Sequence, residues 1–282
     1  MSSPSAAVRR HEVGLADELI ALRLLSTRGA GRRLLSRILI EQRAHFFALA
    51  DLLRPGSTDL ENRFQVNAEV ASALREHNPA ADEMFDELEK HGVKILLRSR
   101  DSYPAHLARV LHADAPPALF AKGNLAIFSR PAVGFCGSRK ASDHGVRVGA
   151  ECARILAAQG INVVSGYAHG VDLAVHRSAL EANGSTTLVL AEGILGFRKK
   201  AAIKDLATDN NTLVLSEFSP RMPWTVGNAM GRNRTICGLS HAQVVIESGT
   251  TGGTFAAGNT ALDLKIPLFA VDYATPSPTA GG

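Results

Sequence analysis

The chain has 282 residues, of which 45% are hydrophobic and 21% charged, with a formal net charge of +4. That length exceeds one small core and suits a large α/β unit beside a smaller one, and the composition excludes wholesale disorder. Three cysteines, Cys136, Cys152 and Cys237, lie far apart without a C-x-x-C, which points away from a disulfide framework and from a zinc site.

The basic balance favours phosphate-bearing partners without identifying one. The start "MSSPSAAVRRHE" lacks the apolar core of a signal peptide, and no run reaches the ~18 apolar residues of a membrane span. The expectation is a cytoplasmic protein with no membrane attachment and no cofactor.

Residues 1–11 and the tail 274–282 are rich in Ser, Pro, Ala and Gly and read as mobile ends. Over 12–90 apolar residues recur at helical spacing, as in Leu15, Leu19 and Leu22 and later Val70, Leu74, Met84, Phe85 and Leu88, so this stretch is a small helical domain. Within it "STRGAGRRLLSRIL" sets a Gly-Ala-Gly turn between two helices. It resembles a helix-hairpin-helix or SAM-like arrangement whose amides hold a phosphate; the alternative is a plain interhelical turn. Residues 91–130 read as a connector holding a strand, a short helix and a Pro-rich link, with the domain boundary near 125.

From 131 to 273 the pattern changes. "AVGFCGS", "INVVSG", "TTLVLAEG", "TLVLSEF", "AQVVIES" and "IPLFAVD" are short β-branched runs separated by helical segments. Such alternation predicts an α/β fold: a Rossmann-like, doubly wound and mostly parallel sheet covered on both faces. Gly149, Cys152, Ala153 and Leu156 fall at i, i+3, i+4 and i+7, giving the first helix one apolar face of small residues.

Ligands of such sheets bind beyond the carboxyl ends of the strands, where helix N-termini present free amides. The loop after the first strand, "GSRKAS", supplies Gly137, Ser138, Arg139 and Lys140, a set suited to phosphate through close backbone approach, hydroxyl donors and a guanidinium clamp. It is neither G-x-G-x-x-G nor a P-loop. Ahead of the fifth strand "GRNRTICGLS" adds Arg232, Asn233 and Arg234; alternatively these begin a helix and pair with Glu217 or Glu247. "FRKK" (197–200) reads as a solvated helix start, Asp172 as a helix cap, His176 as a core-facing histidine and Cys136 as buried and inert.

Taken together, "GSRKAS", "VVSGYAHGVDLAVHRSALEANGSTTLVL", "GRNRTICGLSHAQVVIES" and "GTFAAGNTAL", in this order, resemble the DNA processing protein A family, also called DprA or Smf. The resemblance implies a non-catalytic protein that binds single-stranded DNA, forms a homodimer and helps load a RecA-type recombinase during transformation. It implies phosphate contacts from Ser138 and Arg139, from a second loop with Ser165, Gly166, His169, Gly170 and Asp172, and from Arg232, Asn233 and Arg234.

Departures stand out. His169 and Ser185 occupy positions where the family usually carries arginine and lysine, so two fixed cations are missing from the pocket, and Glu192 is expected near the phosphate path. "MPWTVGNAMG" lacks the usual Phe-Pro. These differences leave room for another role, as a DprA-like component of a toxin-antitoxin or antiphage module that senses nucleic acid or restrains a cognate toxin. The "LOG" nucleotide N-glycosidases share "TTGGT", but Ala256, Ala257 and Asn259 stand where a catalytic carboxylate is needed. The run "FAAGNTALDLKIPLFAV" is the expected dimer surface.

Overall fold

The structure is a computed structural model that describes residues 16–273. The mobile ends expected at 1–11 and 274–282, and Leu15, lie outside the described residues. The chain forms two compact units. Among the described residues the first holds 16–91 together with Ile95–Tyr103 and Pro116–Ala118, and the second holds Gly92–Lys94, Pro104–Ala115 and 119–273.

Helices dominate the first unit: α1 (Asp17–Ser26), α2 (Gly31–His45), α3 (Asp59–Asn62), α4 (Ala68–Arg75) and α5 (Pro79–Lys90). Asn67 and Asn78 cap α4 and α5 by accepting from the amides of Val70 and Ala81, and Pro79 opens α5 where its missing N–H costs nothing. Leu19, Leu35, Ile38, Leu74 and Leu88 are buried in this unit's interior. The Gly-Ala-Gly run forms a tight turn between α1 and α2. Gly29 sits at φ +88°, and a Cβ there would lie 2.7 Å from Val70 Cγ2, so both backbone and packing require glycine.

Near the junction runs β1 (Lys94–Leu97). The second unit then contributes α6 (Ala105–Leu111), β2 (Ala118–Gly123, all but its first residue), β3 (Ala132–Gly137), α7 (Asp143–Ala158), β4 (Asn162–Ser165) and α8 (Val171–Glu181). After these come β5 (Thr186–Val189), β6 (Thr212–Ser216), α9 (Val226–Leu239), β7 (Ala242–Ile246), α10 (Gly253–Asp263) and β8 (Leu268–Ala270). Its strands follow the order β2-β6-β5-β4-β3-β7-β8, parallel from β6 to β8. All six apolar runs expected as strands are strands, and the Rossmann-like α/β reading holds.

One strand departs from expectation. The stretch read as a Pro-rich link contains β2, antiparallel to β6 with Phe120 opposite Ser216 and Gly123 opposite Leu213. The Ala118–Leu119–Phe120–Ala121 run is buried throughout, and the two prolines precede it, where they remove no ladder donor.

Small residues on α7 do what their spacing suggests. A Cβ on Gly149 would stand 3.3 Å from Ile246 and 3.4 Å from Val171, so α7 lies close against β7 and α8 over a core of Phe135, Ala153, Val163 and Val175. His176 is wholly buried on α8. Its Nε2 lies 2.6 Å from the Gly166 carbonyl and its Nδ1 2.6 Å from the hydroxyl of Thr186, which itself donates to the Val163 carbonyl at 2.8 Å. Burial outweighs the nearby Asp172 charge and pushes the His176 pKa down to about 4.

The unfolded chain therefore takes up a proton near the ordinary histidine value while the folded chain does not. Stability is full above about pH 6.5 and is lost as pH falls toward 4, at up to ~1.4 kcal/mol per unit. Urea unfolding at pH 7, 6 and 5 should show this slope, and His176→Gln should flatten it whatever its effect on stability at pH 7. An unchanged slope in the variant refutes the assignment.

Candidate functional site

The strand order reverses between β3 and β7: β4, β5 and β6 extend to one side and β8 to the other. The loops leaving β3 and β7 diverge there, and a crevice opens beyond the carboxyl ends. It holds a cavity of about 370 Å³, lined by Gly137, Ser138 and Arg139 after β3, by Trp224, Met230, Arg232 and Asn233 before and on α9, and by Thr251–Thr254 after β7. That volume lies at the low end of the ~300–1,000 Å³ typical of ligand sites, enough for one nucleotide-sized group.

Which amides face the crevice differs from the expectation. The N-terminus of α7, directly after "GSRKAS", is already satisfied: Ser142 Oγ accepts from Gly145 N at 3.0 Å, and the Glu247 carboxylate accepts from Ser142 N at 2.8 Å and from the Ser142 hydroxyl. Ser138 N donates to the Ile246 and Glu247 carbonyls, and Lys140 N to Ser138 Oγ. The loop therefore offers the Arg139 side chain more than its backbone. By contrast α10 begins at Gly253 with no side-chain cap, and Gly252, Gly253 and Thr254 line the cavity. Its first amides carry the positive end of the helix dipole into the crevice.

Arg232, Asn233 and Arg234 lie in the middle of α9, neither just ahead of a strand nor at a helix N-terminus. At ~100° per residue three consecutive side chains cannot share a face. Arg232 is 7% exposed, and its Nη1 donates to the Val189 carbonyl at 2.8 Å. Among the described residues its Nε has no hydrogen-bond partner. Burial works against its charge, while Asp172 and Glu217 support it. Asn233 lines the cavity and donates to the Gly253 carbonyl at 3.3 Å. Arg234 turns away, pairing with Asp114 at 2.8 Å.

The family model for DNA recombination-mediator protein A matches residues 94–282. The chain belongs to that family. Among curated relatives, DNA processing protein DprA of Streptococcus pneumoniae is 34% identical over 173 residues, which are 61% of this chain and 60% of the relative. Protein Smf of Escherichia coli is 29% identical over 197 residues, or 69% of this chain and 52% of the relative. The chain thus spans roughly half to three fifths of the relatives' length. Among solved structures, S. pneumoniae DprA aligns with a TM-score of 0.63 at 23% identity, covering 93% of this chain and 88% of that one. Helicobacter pylori DNA processing protein A, described for its single-stranded DNA binding mode, aligns at 0.56 and 23%, covering 67% of this chain and 84% of that one. At this identity the structures establish a shared fold.

Several residues carried over from the family motifs stand behind the crevice or outside it. Ser165 is fully buried and donates to the Phe135 carbonyl. A Cβ on Gly166 would collide with the Arg232 guanidinium and the Asp172 carboxylate. A Cβ on Gly170 would stand 3.2 Å from the Ser138 carbonyl and 3.3 Å from that of Arg139, so Gly170 passes close beneath the first loop. His169 and Lys140 are exposed and do not line the cavity.

Two expected departures prove to lie elsewhere. Ser185 precedes β5, buried and bonded to Asn162, so the position falls at the amino end of the sheet, away from the crevice. Glu192 accepts from the Ser216 hydroxyl through its carbonyl, and its carboxylate acts on Lys200 instead of lining the cavity.

The "FRKK" run leads into a short 3-10 helix (Ala201–Ile203) with Lys200 at its N-cap, but its lysines are not simply solvated: Lys200 folds back over the Tyr167 ring at 4.3 Å, and Lys199 bonds the Ala207 carbonyl. Cys136 is buried, its thiol pushed up to about 12, and so is no nucleophile. Asp172 is not the cap of α8, which follows Gly170 without a side-chain cap; from the first turn its carboxylate accepts from Ala168 N, in the loop ahead of the helix, at 3.2 Å.

Trp224, Met230 and the Thr251–Thr254 run also line the cavity, although the sequence reading names none of them as a phosphate-binding residue. A signal exists: the chain's lone tryptophan falls on a loop that follows a predicted strand.

Removing Arg232 strands Asp172 and the Val189 carbonyl in the interior. Arg232→Ala should cost about 3–5 kcal/mol in urea unfolding, whereas Arg139→Ala, at an exposed turn, should stay within ~0.5 kcal/mol. Equal stability of the two variants contradicts the burial of Arg232.

Proposed function

We propose that the chain binds single-stranded DNA along the carboxyl edge of the sheet and serves DNA processing and recombination without catalysing a reaction itself. One observation carries this: the exposed Arg139 and the uncapped N-terminus of α10 face a single cavity with the buried, incompletely bonded Arg232 in its lining. Oriented amides beside a fixed guanidinium suit phosphate, and a second guanidinium at the mouth can grip the neighbouring phosphate of a strand. The family, and the single-strand binding described for the H. pylori protein of the same fold, support this substrate.

Asp172 is the carboxylate in the lining, and it is engaged by Ala168 N and faced by Arg232, which suits a structural anion better than a proton-transfer group. A partner recombinase of the RecA type follows from the family reading. So does a homodimer, for which α10 and β8 offer Leu262 and Phe269, each about 60% exposed. Light scattering at micromolar concentration should return twice the monomer mass.

Anisotropy titration of a labelled oligonucleotide across a salt series tests the binding. Arg139→Ala should weaken binding to unrelated sequences alike and flatten the log–log salt slope by about 0.7 for each phosphate no longer neutralised. Equal affinity and slope in parent and variant exclude the site.

A further inference from the structure

At the opposite end of the sheet from the crevice lies a second cavity, of about 380 Å³. It is lined chiefly by His106 and Arg109 of α6, by Phe128, Arg130 and Pro131 ahead of β3, and by His241 ahead of β7. β3 and β7 are parallel neighbours that begin at Ala132 and Ala242, so the residues just before them stand at the amino ends of the strands. The six residues of β3, roughly 20 Å of strand, separate this cavity from Gly137 and the crevice. No acidic residue lines it, and among the described residues neither Arg109 nor Arg130 makes an ion pair, although both are exposed. Cations gathered round a concave surface with no internal counter-charge repel one another, and a bound anion offsets that cost.

The outer donors are held by His106. Its Nε2 lies 3.1 Å from the Ser240 carbonyl, which can only accept, so that nitrogen carries the proton. Nδ1 of the neutral ring is then an acceptor, and it takes an N–H from Arg109 Nη2 at 2.8 Å. Burial holds the His106 pKa below the usual histidine range, and the neighbouring His241 and Arg109 act in the same direction. One N–H of the Arg109 fork is thus used to aim it, and the rest face outward. The His106 ring also stacks on that of His241, with centroids 4.0 Å apart and planes 22° from parallel. His241 Nδ1 accepts from Ala132 N at 3.2 Å, which leaves Nε2 as the donor of an exposed ring.

We infer that this cavity binds a phosphomonoester, with Arg109, Arg130 and the His241 Nε2–H on the phosphate and Phe128 and Pro131 against the organic group it carries. A guanidinium fork matches phosphate oxygens in pairs, and an imidazole N–H adds a directed donor. The volume falls within the ~300–1,000 Å³ of small-molecule sites, more room than a bare phosphate fills, and the half-buried Phe128 supplies an apolar wall. None of the crevice residues takes part, so the site does not rest on the single-strand reading.

The probes are phenyl phosphate and inorganic phosphate, titrated by calorimetry into the parent chain and into Arg109→Ala, Arg130→Ala and Arg139→Ala. Phenyl phosphate should bind the parent more tightly than inorganic phosphate. Arg109→Ala and Arg130→Ala should each lose about ten- to a hundredfold in affinity for it, with an unchanged urea midpoint, while Arg139→Ala, altered only in the crevice, keeps the parent value. Labelled oligothymidine should bind Arg109→Ala and Arg130→Ala as it binds the parent.

Unchanged phenyl phosphate affinity in Arg109→Ala and Arg130→Ala, or a loss that falls on Arg139→Ala instead, overturns the site. Equal affinity for the two probes overturns the organic half of the assignment. A loss of oligothymidine affinity matching that of phenyl phosphate puts the cavity on the path of a strand and overturns the small-molecule ligand.

Discussion

A single buried guanidinium organises the crevice. Arg232 reaches from α9 to the last residue of β5, lies against Gly166 just after β4, and faces Asp172 in the first turn of α8. One charge thereby gathers the carboxyl ends of neighbouring strands. Desolvating a guanidinium is expensive, and the cost is tolerated only where carbonyls and carboxylates surround it. Its neighbours read as consequences: glycine at 166, because any side chain would strike the guanidinium, and an acid at 172, because the charge needs a counterpart. The positive potential of the crevice is built into the core, so it does not depend on mobile surface side chains. Salt screens such a buried charge much less than an exposed one.

The two helix N-termini flanking the switch point have opposite fates. Glu247, at the end of β7, supplies a carboxylate to the start of α7, where its bonds to Ser142 do what a bound anion would do. Glu247 holds φ at +47°, a conformation that a non-glycine residue adopts only when its surroundings over-determine it. A Cβ on Gly145 would fall 2.5 Å from that carboxylate, so the glycine keeps room for it. With α7 capped from within, α10 is the helix whose glycine-rich start, without a side-chain cap or an acid in its first turn, lines the crevice.

Much of this is legible in the sequence, and the parts that are not share a cause. Strand positions follow from β-branched runs and helix faces from small-residue spacing, because both are local periodicities. The second-unit motif "GSRKAS" does stand at a strand exit. Its backbone cannot be recognised as already occupied, because the occupant, Glu247, stands 105 residues away. The same limit applies to "GRNR": the motif reads as three polar side chains in a row, and only the register of α9 shows that one is core, one lines the cavity and one is tied to Asp114. Ser185 looks like a lost pocket cation because the sequence does not say which end of a strand a flanking residue occupies until the strand's direction is fixed. β2 escapes notice because its four buried residues follow two prolines and mimic a connector.

Those corrections change how the departures from the family pattern are to be weighed. With Ser185 at the amino end of the sheet, and His169 and Glu192 outside the lining, none of the three bears directly on what the crevice holds. What does line it is Trp224 just ahead of α9, together with Val226 and Met230 on that helix. A cation removed from a phosphate site lowers affinity for every strand alike, whereas an aromatic added beside one changes which part of the strand is held. In this chain Trp224, Val226 and Met230 set an apolar wall beside the positive field of the crevice.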